Sequence, residues 1–181
     1  MNRIHHDTLS QRHWLLFCFT LPLLLLLAAC GSPPDKPPAA RNPDSDTVGY
    51  YCGMNLAEHV GPKSQIHVAG EAGPLWFSSV QDAFVYQQTE GATRRLLAFY
   101  VNDMSHADWQ HPQPGPWIAA QSAWFVVGSR LSGGMGKTEI MPFGDQAAAE
   151  KFVQQFGGRV VPFIKVTQEN MYLPGEEQSA K

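Results

Sequence analysis

The length, composition and charge of the chain limit the classes of protein to which it belongs. Its 181 residues, 44% of them hydrophobic, give room for one domain or two small ones with a buried core. Nucleic-acid-binding proteins carry basic patches, so a net charge of −3 argues against a nucleic-acid partner.

The N-terminus has the pattern of a bacterial lipoprotein signal. Arg3 and Arg12 precede an apolar run over 14–27 that is shorter than a membrane-spanning helix requires. Two alanines and Cys30 follow this run, and small residues before a cysteine resemble a lipobox. The sequence therefore predicts a signal peptide over 1–29, cleavage before Cys30 and a lipid on the Cys30 thiol, which anchors the protein to a lipid bilayer.

Residues 30–48 predict a flexible tether, because they contain five prolines and almost no apolar side chains. The export signal predicts a lipid-anchored protein that faces the periplasm. By resemblance to enterobacterial sorting rules, Gly31 in place of Asp after the lipidated cysteine favours the outer membrane.

A first folded unit is predicted over 49–102. Residues alternate between apolar and polar as in a half-buried strand, and a second strand follows a short turn. A small hydroxyl residue then starts a helix that ends near a glycine. The predicted elements are strands over 65–69 and 75–77, a helix capped by Ser78 or Ser79, and a buried strand over 94–101.

A connecting loop is predicted over 103–121, a second unit over 122–168, and a flexible C-terminus over 169–181. The second unit repeats the order of the first, and both helices follow an aromatic residue and a small or polar cap. The predicted elements are strands over 122–127 and 139–142, a helix capped by Asp145, and a strand over 159–166. Each unit is too small to bury much core alone. The predicted fold is therefore α+β, with two consecutive ββαβ units packed together.

Cys52 is the thiol that remains for protein chemistry, because Cys18 leaves with the signal peptide and Cys30 carries the lipid. Cys52 and Met54 flank Gly53 and place two soft sulfur donors on one short segment. Thiolate and thioether ligands favour Cu(I) over harder ions. The ordinary alternative is a buried cysteine beside a core methionine.

A Cu(I) site needs about two or three ligands, so Cys52 and Met54 require at most one further donor. Met135 lies in a glycine-rich bend and is the first candidate. His59 is the second. Met104 and His106 follow, although each of these side chains is also common as a core methionine or a surface histidine.

The motifs of common enzymes are missing from the sequence. It has no G-x-S-x-G elbow, no H-E-x-x-H, no phosphate-binding loop and no C-x-x-C. A thiol-dependent periplasmic enzyme would pair Cys52 with a histidine, but no third residue is identified that would orient that histidine. We therefore predict that the chain is not an enzyme.

Several stretches, in this order, resemble the NosL family of nitrous oxide reductase accessory lipoproteins, and the similarity spans about residues 49–158. The stretches are Tyr51-Cys52-Gly53-Met54, His59 to Ile66, Trp76-Phe77-Ser78-Ser79, Tyr100 to Asp103, Gly134-Met135-Gly136 and Pro142-Phe143.

The resemblance implies a Cu(I)-binding lipoprotein that delivers copper to apo nitrous oxide reductase. Because Cu(I) with about two or three ligands near the surface leaves room for an incoming donor, we predict that delivery occurs by ligand exchange. The resemblance also implies an ABC-type membrane complex as a second partner, and a fold related to the N-terminal region of organomercurial lyase. From the family motif, Cys52 and Met54 become copper ligands, followed by Met135 and His59. The alternative is a lipid-tethered module that docks the ABC-type maturation complex.

Overall fold

The structure, a computed structural model, describes residues 36–107, 109, 116–134 and 136–171. The folded unit begins at Pro37. The predicted signal peptide, the predicted lipidation site Cys30, the predicted ligand Met135 and the end of the predicted C-terminal tail lie outside the described residues. Among the residues described, no helix is both long enough and apolar enough to cross a bilayer.

The first unit forms a four-stranded antiparallel sheet with one helix. Its elements are β1 (Ser64–Val68), β2 (Leu75–Phe77), α1 (Val80–Gln88), β3 (Leu96–Asn102) and β4 (Trp117–Ala119). The sheet order is β2-β1-β3-β4.

Helix α1 begins where the sequence predicts. The Ser79 hydroxyl accepts a hydrogen bond from the Asp82 amide at 3.2 Å and so satisfies one of the free N–H groups of the first turn.

The second unit forms a three-stranded antiparallel sheet with order β6-β5-β7 and its own helix. Asp145 caps that helix by accepting from the Ala147 amide at 3.1 Å, and Gly157 ends it with a φ of 75°, which glycine adopts without strain. The elements are β5 (Trp124–Val127), β6 (Met141–Phe143), α2 (Gln146–Phe156), β7 (Arg159–Pro162) and a last turn, α3 (Gln168–Met171). The predicted α+β fold with two ββαβ units is thus confirmed.

Aromatic side chains from both units share one core. Phe84 of α1 lies 5.1 Å from Phe125 of β5 and 5.3 Å from Phe163, measured between ring centroids. Phe99 of β3 also contacts Phe163, at 6.0 Å. The two units therefore bury their apolar faces against each other, as their small size requires.

The second half of the predicted tether is held on the first sheet. The Tyr100 hydroxyl donates to the Pro38 carbonyl at 2.7 Å. Arg41 and Gln65 exchange two hydrogen bonds, of 2.9 and 2.8 Å, between the Arg41 backbone and the Gln65 amide. The tether predicted over 30–48 is therefore wrong for this part. The composition of this proline-rich segment does not reveal that polar side chains of β1 and β3 supply hydrogen-bond partners for its backbone.

The loop predicted over 103–121 is also wrong in its last part, because β4 lies there. The strand pairs with β3, with Val101 opposite Ile118. The Trp117 indole donates to the Asn42 side chain at 3.0 Å. Three residues are too few to give an alternating pattern, which is why the sequence does not reveal this strand.

Candidate metal centre

The C-G-M motif lies at the tip of a tight loop. Val48 and Asn55 pair in an antiparallel bridge. The Gly49 amide donates to the Met54 carbonyl at 3.0 Å, and the Gly53 amide donates to the Gly49 carbonyl at 2.8 Å. Gly53 has a φ of 63°, a conformation that residues with a Cβ rarely adopt. These contacts place both sulfur-bearing residues on one short turn.

Two tyrosines fasten this loop to the first unit. The Tyr50 and Tyr51 hydroxyls each donate to one oxygen of the Glu90 carboxylate, at 2.9 and 3.0 Å. The Tyr50 amide donates to the Trp76 carbonyl at 2.7 Å, and both tyrosine rings lie 5.8 Å from the ring of Phe77. The hydrogen bond to Glu90 raises the pKa of Tyr50, and burial followed by the same hydrogen bond raises the pKa of Tyr51. Both phenols therefore remain donors.

The two sulfur-bearing residues differ in their access to solvent. Cys52 is a free thiol, half-buried, with its Sγ 3.4 Å from the Ser78 hydroxyl oxygen. Met54 is 41% exposed. The Cys52 thiol therefore contacts Ser78 of the folded unit, whereas the Met54 side chain is accessible to an incoming molecule.

Cys52 and His59 line the same pocket, which has a volume of about 370 Å³. The His59 Nε2 atom is buried and has no hydrogen-bond partner among the residues that the structure describes. A buried polar atom without a partner is costly in free energy, and it fits a nitrogen that receives a metal ion. The remaining lining residues come from Tyr51, from 78–85 at the start of α1, and from 133–134 and 137–139.

The glycine-rich bend forms the wall of the pocket beside His59. A Cβ on Gly134 would lie 3.1 Å from the His59 Nδ1 atom, so the backbone of the bend packs closely on the imidazole. Gly134 directly precedes Met135, whose own position lies outside the described residues. The structure thus brings the predicted residues Cys52 and His59 and the start of the Met135 bend to one cavity.

The two further candidates for the third ligand lie elsewhere. Met104 packs against the smaller core under α2, and its amide donates to the Pro142 carbonyl of β6 at 2.9 Å. His106 is exposed. Neither side chain lines the pocket that contains Cys52. Met54 does not line it either, but it lies on the same loop as Cys52.

Within the described part of the chain, no group of three or more His, Cys, Asp and Glu side chains lies close enough to hold a metal ion. A Cu(I) site uses about two or three donors, and thioether sulfur is one of them.

A buried carboxylate also faces this pocket, and the sequence analysis missed it. One oxygen of Glu139 accepts from the amides of Val80, Gln81 and Ile140 at 3.1, 3.3 and 2.9 Å. Burial raises the pKa of Glu139 to about 8, while the hydrogen bonds from Ile140 and Gln81 oppose that rise. The sequence signal for this buried carboxylate is the position of Glu139 directly before the apolar residues Ile140 and Met141.

Lys63 is a second buried ionisable residue that the sequence does not reveal. It is fully buried, and its ammonium group donates to the carbonyls of His59 and Gly61 at 2.7 and 2.6 Å. Burial lowers the pKa of Lys63 to about 8. These bonds fix the backbone that carries His59, so the imidazole enters the pocket from a rigid segment.

The NosL family profile matches residues 40–171. The copper-binding lipoprotein NosL of Achromobacter cycloclastes is 40% identical over 171 residues, which cover 93% of this chain and 89% of that protein. The protein of the same name from Stutzerimonas stutzeri is 34% identical over 128 residues, which cover 69% of this chain and 64% of that protein.

A solved structure agrees with these matches. The crystal structure of the copper chaperone NosL from Shewanella denitrificans superposes with a TM-score of 0.68 at 33% identity, and the match covers 76% of this chain and 99% of that one. The three names describe copper binding or copper chaperoning and not catalysis, in agreement with the prediction that the chain is not an enzyme. The resemblance noted in the sequence is confirmed, and the chain belongs to the NosL family.

Proposed function

We propose that this protein is a membrane-anchored Cu(I)-binding metallochaperone. It delivers copper for the maturation of periplasmic nitrous oxide reductase by ligand exchange. The observation that carries the proposal is one tight loop with a thiol and a thioether, whose Cys52 lines the same pocket as His59. The buried Nε2 atom of His59 has no hydrogen-bond partner among the described residues. The names of the relatives, which describe copper binding, support it.

The donor set supports Cu(I) as the bound form of copper. Thiolate and thioether are soft ligands that suit Cu(I), whereas Cu(II) prefers nitrogen and oxygen donors in a tetragonal arrangement. Cys52 would supply the strong bond and Met54 the weak one. His59 or Met135 would complete the site.

The unequal exposure of the two sulfurs supports ligand exchange. Met54, 41% exposed, is the ligand that an incoming donor reaches and replaces first. Cys52 is half-buried and is released last. Copper then passes through an intermediate that both proteins share and is never free in solution.

The proposed partners are apo nitrous oxide reductase and an ABC-type membrane complex. A lipid on Cys30 would hold the protein on the membrane surface that faces the periplasm, and the outer membrane is favoured. This location would keep the proposed copper loop, residues 48–55, in the compartment in which the acceptor matures.

Binding is tested by competition with a Cu(I) chelator under reducing conditions. We expect Cys52→Ser to abolish tight binding, because it removes the thiolate, and Met54→Ala to weaken it. Ile164→Ala, which truncates another exposed apolar side chain, is the control and should bind as the wild type does. Retention of one equivalent of Cu(I) by Cys52→Ser contradicts the proposal.

Two further measurements define the ligands and the role. X-ray absorption on the Cu(I)-loaded protein, compared with Met135→Ala and His59→Ala, distinguishes a sulfur from a nitrogen third ligand.

Maturation of nitrous oxide reductase in cells that carry Cys52→Ala tests delivery. Full maturation with this variant would favour the docking module over the chaperone.

A further inference from the structure

We propose that Ser78 is a positioning residue for the copper ligand Cys52. Its hydroxyl donates a hydrogen bond to the Cys52 sulfur and directs that sulfur toward the pocket. This inference rests on the proposed function, because it concerns the same site.

Ser78 provides the rigid end of the contact. It lies between the last residue of β2 and the helix cap Ser79, so a strand and a helix hold its backbone on either side. It is only 4% exposed. Its oxygen lies 3.4 Å from the Sγ atom of Cys52, which belongs to a surface loop. A contact between a fixed hydroxyl and a loop sulfur restricts the sulfur rather than the hydroxyl.

Gly49 lies beside this contact. A Cβ at Gly49 would lie 2.6 Å from the Cys52 sulfur and 3.5 Å from the Ser78 hydroxyl oxygen. The sulfur therefore packs directly on the Gly49 backbone, and the hydroxyl reaches it beside that backbone. These two neighbours limit the movement of the sulfur on that flank.

The chemistry of copper binding fixes the direction of the hydrogen bond. In the free thiol, either atom can be the donor. A metal-bound thiolate has no proton, so the Ser78 hydroxyl must then donate and the sulfur must accept. Hydrogen bonds to metal ligands orient them and tune the metal, and their removal typically weakens metal binding by about 10- to 100-fold.

The first test measures Cu(I) affinity by chelator competition, on the full chain in detergent. We expect Ser78→Ala to weaken binding by about tenfold or more, and Ser78→Thr, which keeps the hydroxyl, to recover most of that loss. The matched control is Ser129→Ala, which deletes a hydroxyl that is 2% exposed and does not line the pocket. Equal affinities for Ser78→Ala and Ser129→Ala overturn the proposal.

The second test requires no copper. The S–H stretching band of Cys52 in the Raman spectrum is assigned by its loss in Cys52→Ala. Ser78→Ala should shift this band and Ser129→Ala should not, whereas a purely structural role for Ser78 would change stability alone. An unmoved band overturns the proposal. If the wild type takes up no Cu(I), the proposed function fails while the band still decides the contact.

Discussion

Gly49 confines the sulfur of Cys52 although it has no functional group. A Cβ at this position would come within 2.6 Å of Sγ, a distance at which one of the two atoms must move. We expect Gly49→Ala to displace the thiol and to weaken Cu(I) binding by about tenfold or more, comparable to the loss of an outer-shell partner. Chelator competition measures the affinity and urea unfolding measures the stability.

Gly73→Ala is the control for this substitution. A Cβ there would meet only the Arg41 guanidinium at 3.7 Å, an ordinary contact distance. It should leave both copper affinity and stability close to those of the wild type. Wild-type affinity in Gly49→Ala would show that the sulfur moves without consequence for the metal.

At the scale of single residues, the sequence predicts the sulfur donors but not the residues that surround and position them. Cys52 and Met54 are two positions apart, so the chemistry of the motif is visible in the chain itself. Ser78 lies 26 positions from Cys52, and only the fold brings the two together. Glu139 accepts a hydrogen bond from the Val80 amide, which lies 59 positions away, so this contact too depends on the fold.

At the scale of elements, the copper loop depends on an anchor outside itself. The Glu90 carboxylate accepts from both tyrosine hydroxyls next to Cys52. We expect Glu90→Ala to release these tyrosines and to speed hydrogen exchange at the Gly49 and Gly53 amides, whose hydrogen bonds close the loop. Exchange measured by mass spectrometry or NMR tests this directly.

Glu150→Ala is the comparison, because it removes an exposed carboxylate on α2. This carboxylate accepts a hydrogen bond within its own helix, from Gln146 at 2.9 Å. Exchange in the copper loop should not change in this variant. If Glu90→Ala also leaves the Gly49 and Gly53 amides unchanged, the loop is held by its own backbone bonds and by the aromatic contacts.

Elements with local signals are those that the sequence predicts well. Ser79 and Asp145 cap helices because their side chains accept from amides two or three residues ahead. Such a short separation can be recognised in the sequence. The segment from Pro38 to Asn42 has no such signal. Its partners are Tyr100, Gln65 and Trp117, on strands that are distant in sequence.

For the whole molecule, Glu139 connects the two units, because it belongs to the second unit and accepts from amides at the start of α1 in the first. In the fold its pKa is raised to about 8, from the ordinary value of 4.5. Between these values the folded protein holds a proton that the unfolded chain has lost. The contribution of Glu139 to the free energy of unfolding is therefore present below about pH 4.5 and is lost as the pH rises to about 8.

We expect Glu139→Gln to remove this contribution and to flatten the decline of stability across that range. Urea unfolding at several pH values measures the slope. Glu150→Gln should keep the wild-type slope, since its carboxylate is exposed. Equal slopes for the wild type and Glu139→Gln would mean that the backbone donors hold the carboxylate charged in the fold.

The exposure of Met54 also has a chemical consequence. A thioether that is 41% exposed is accessible to oxidants, which convert methionine to the sulfoxide, a polar group without the soft sulfur donor. In the proposed site, Cu(I) would coordinate one lone pair of the Met54 sulfur and make this sulfur less reactive toward an oxidant. The metal-free protein would then be the form more vulnerable to this damage, and copper loading would protect the residue through which the proposed transfer begins.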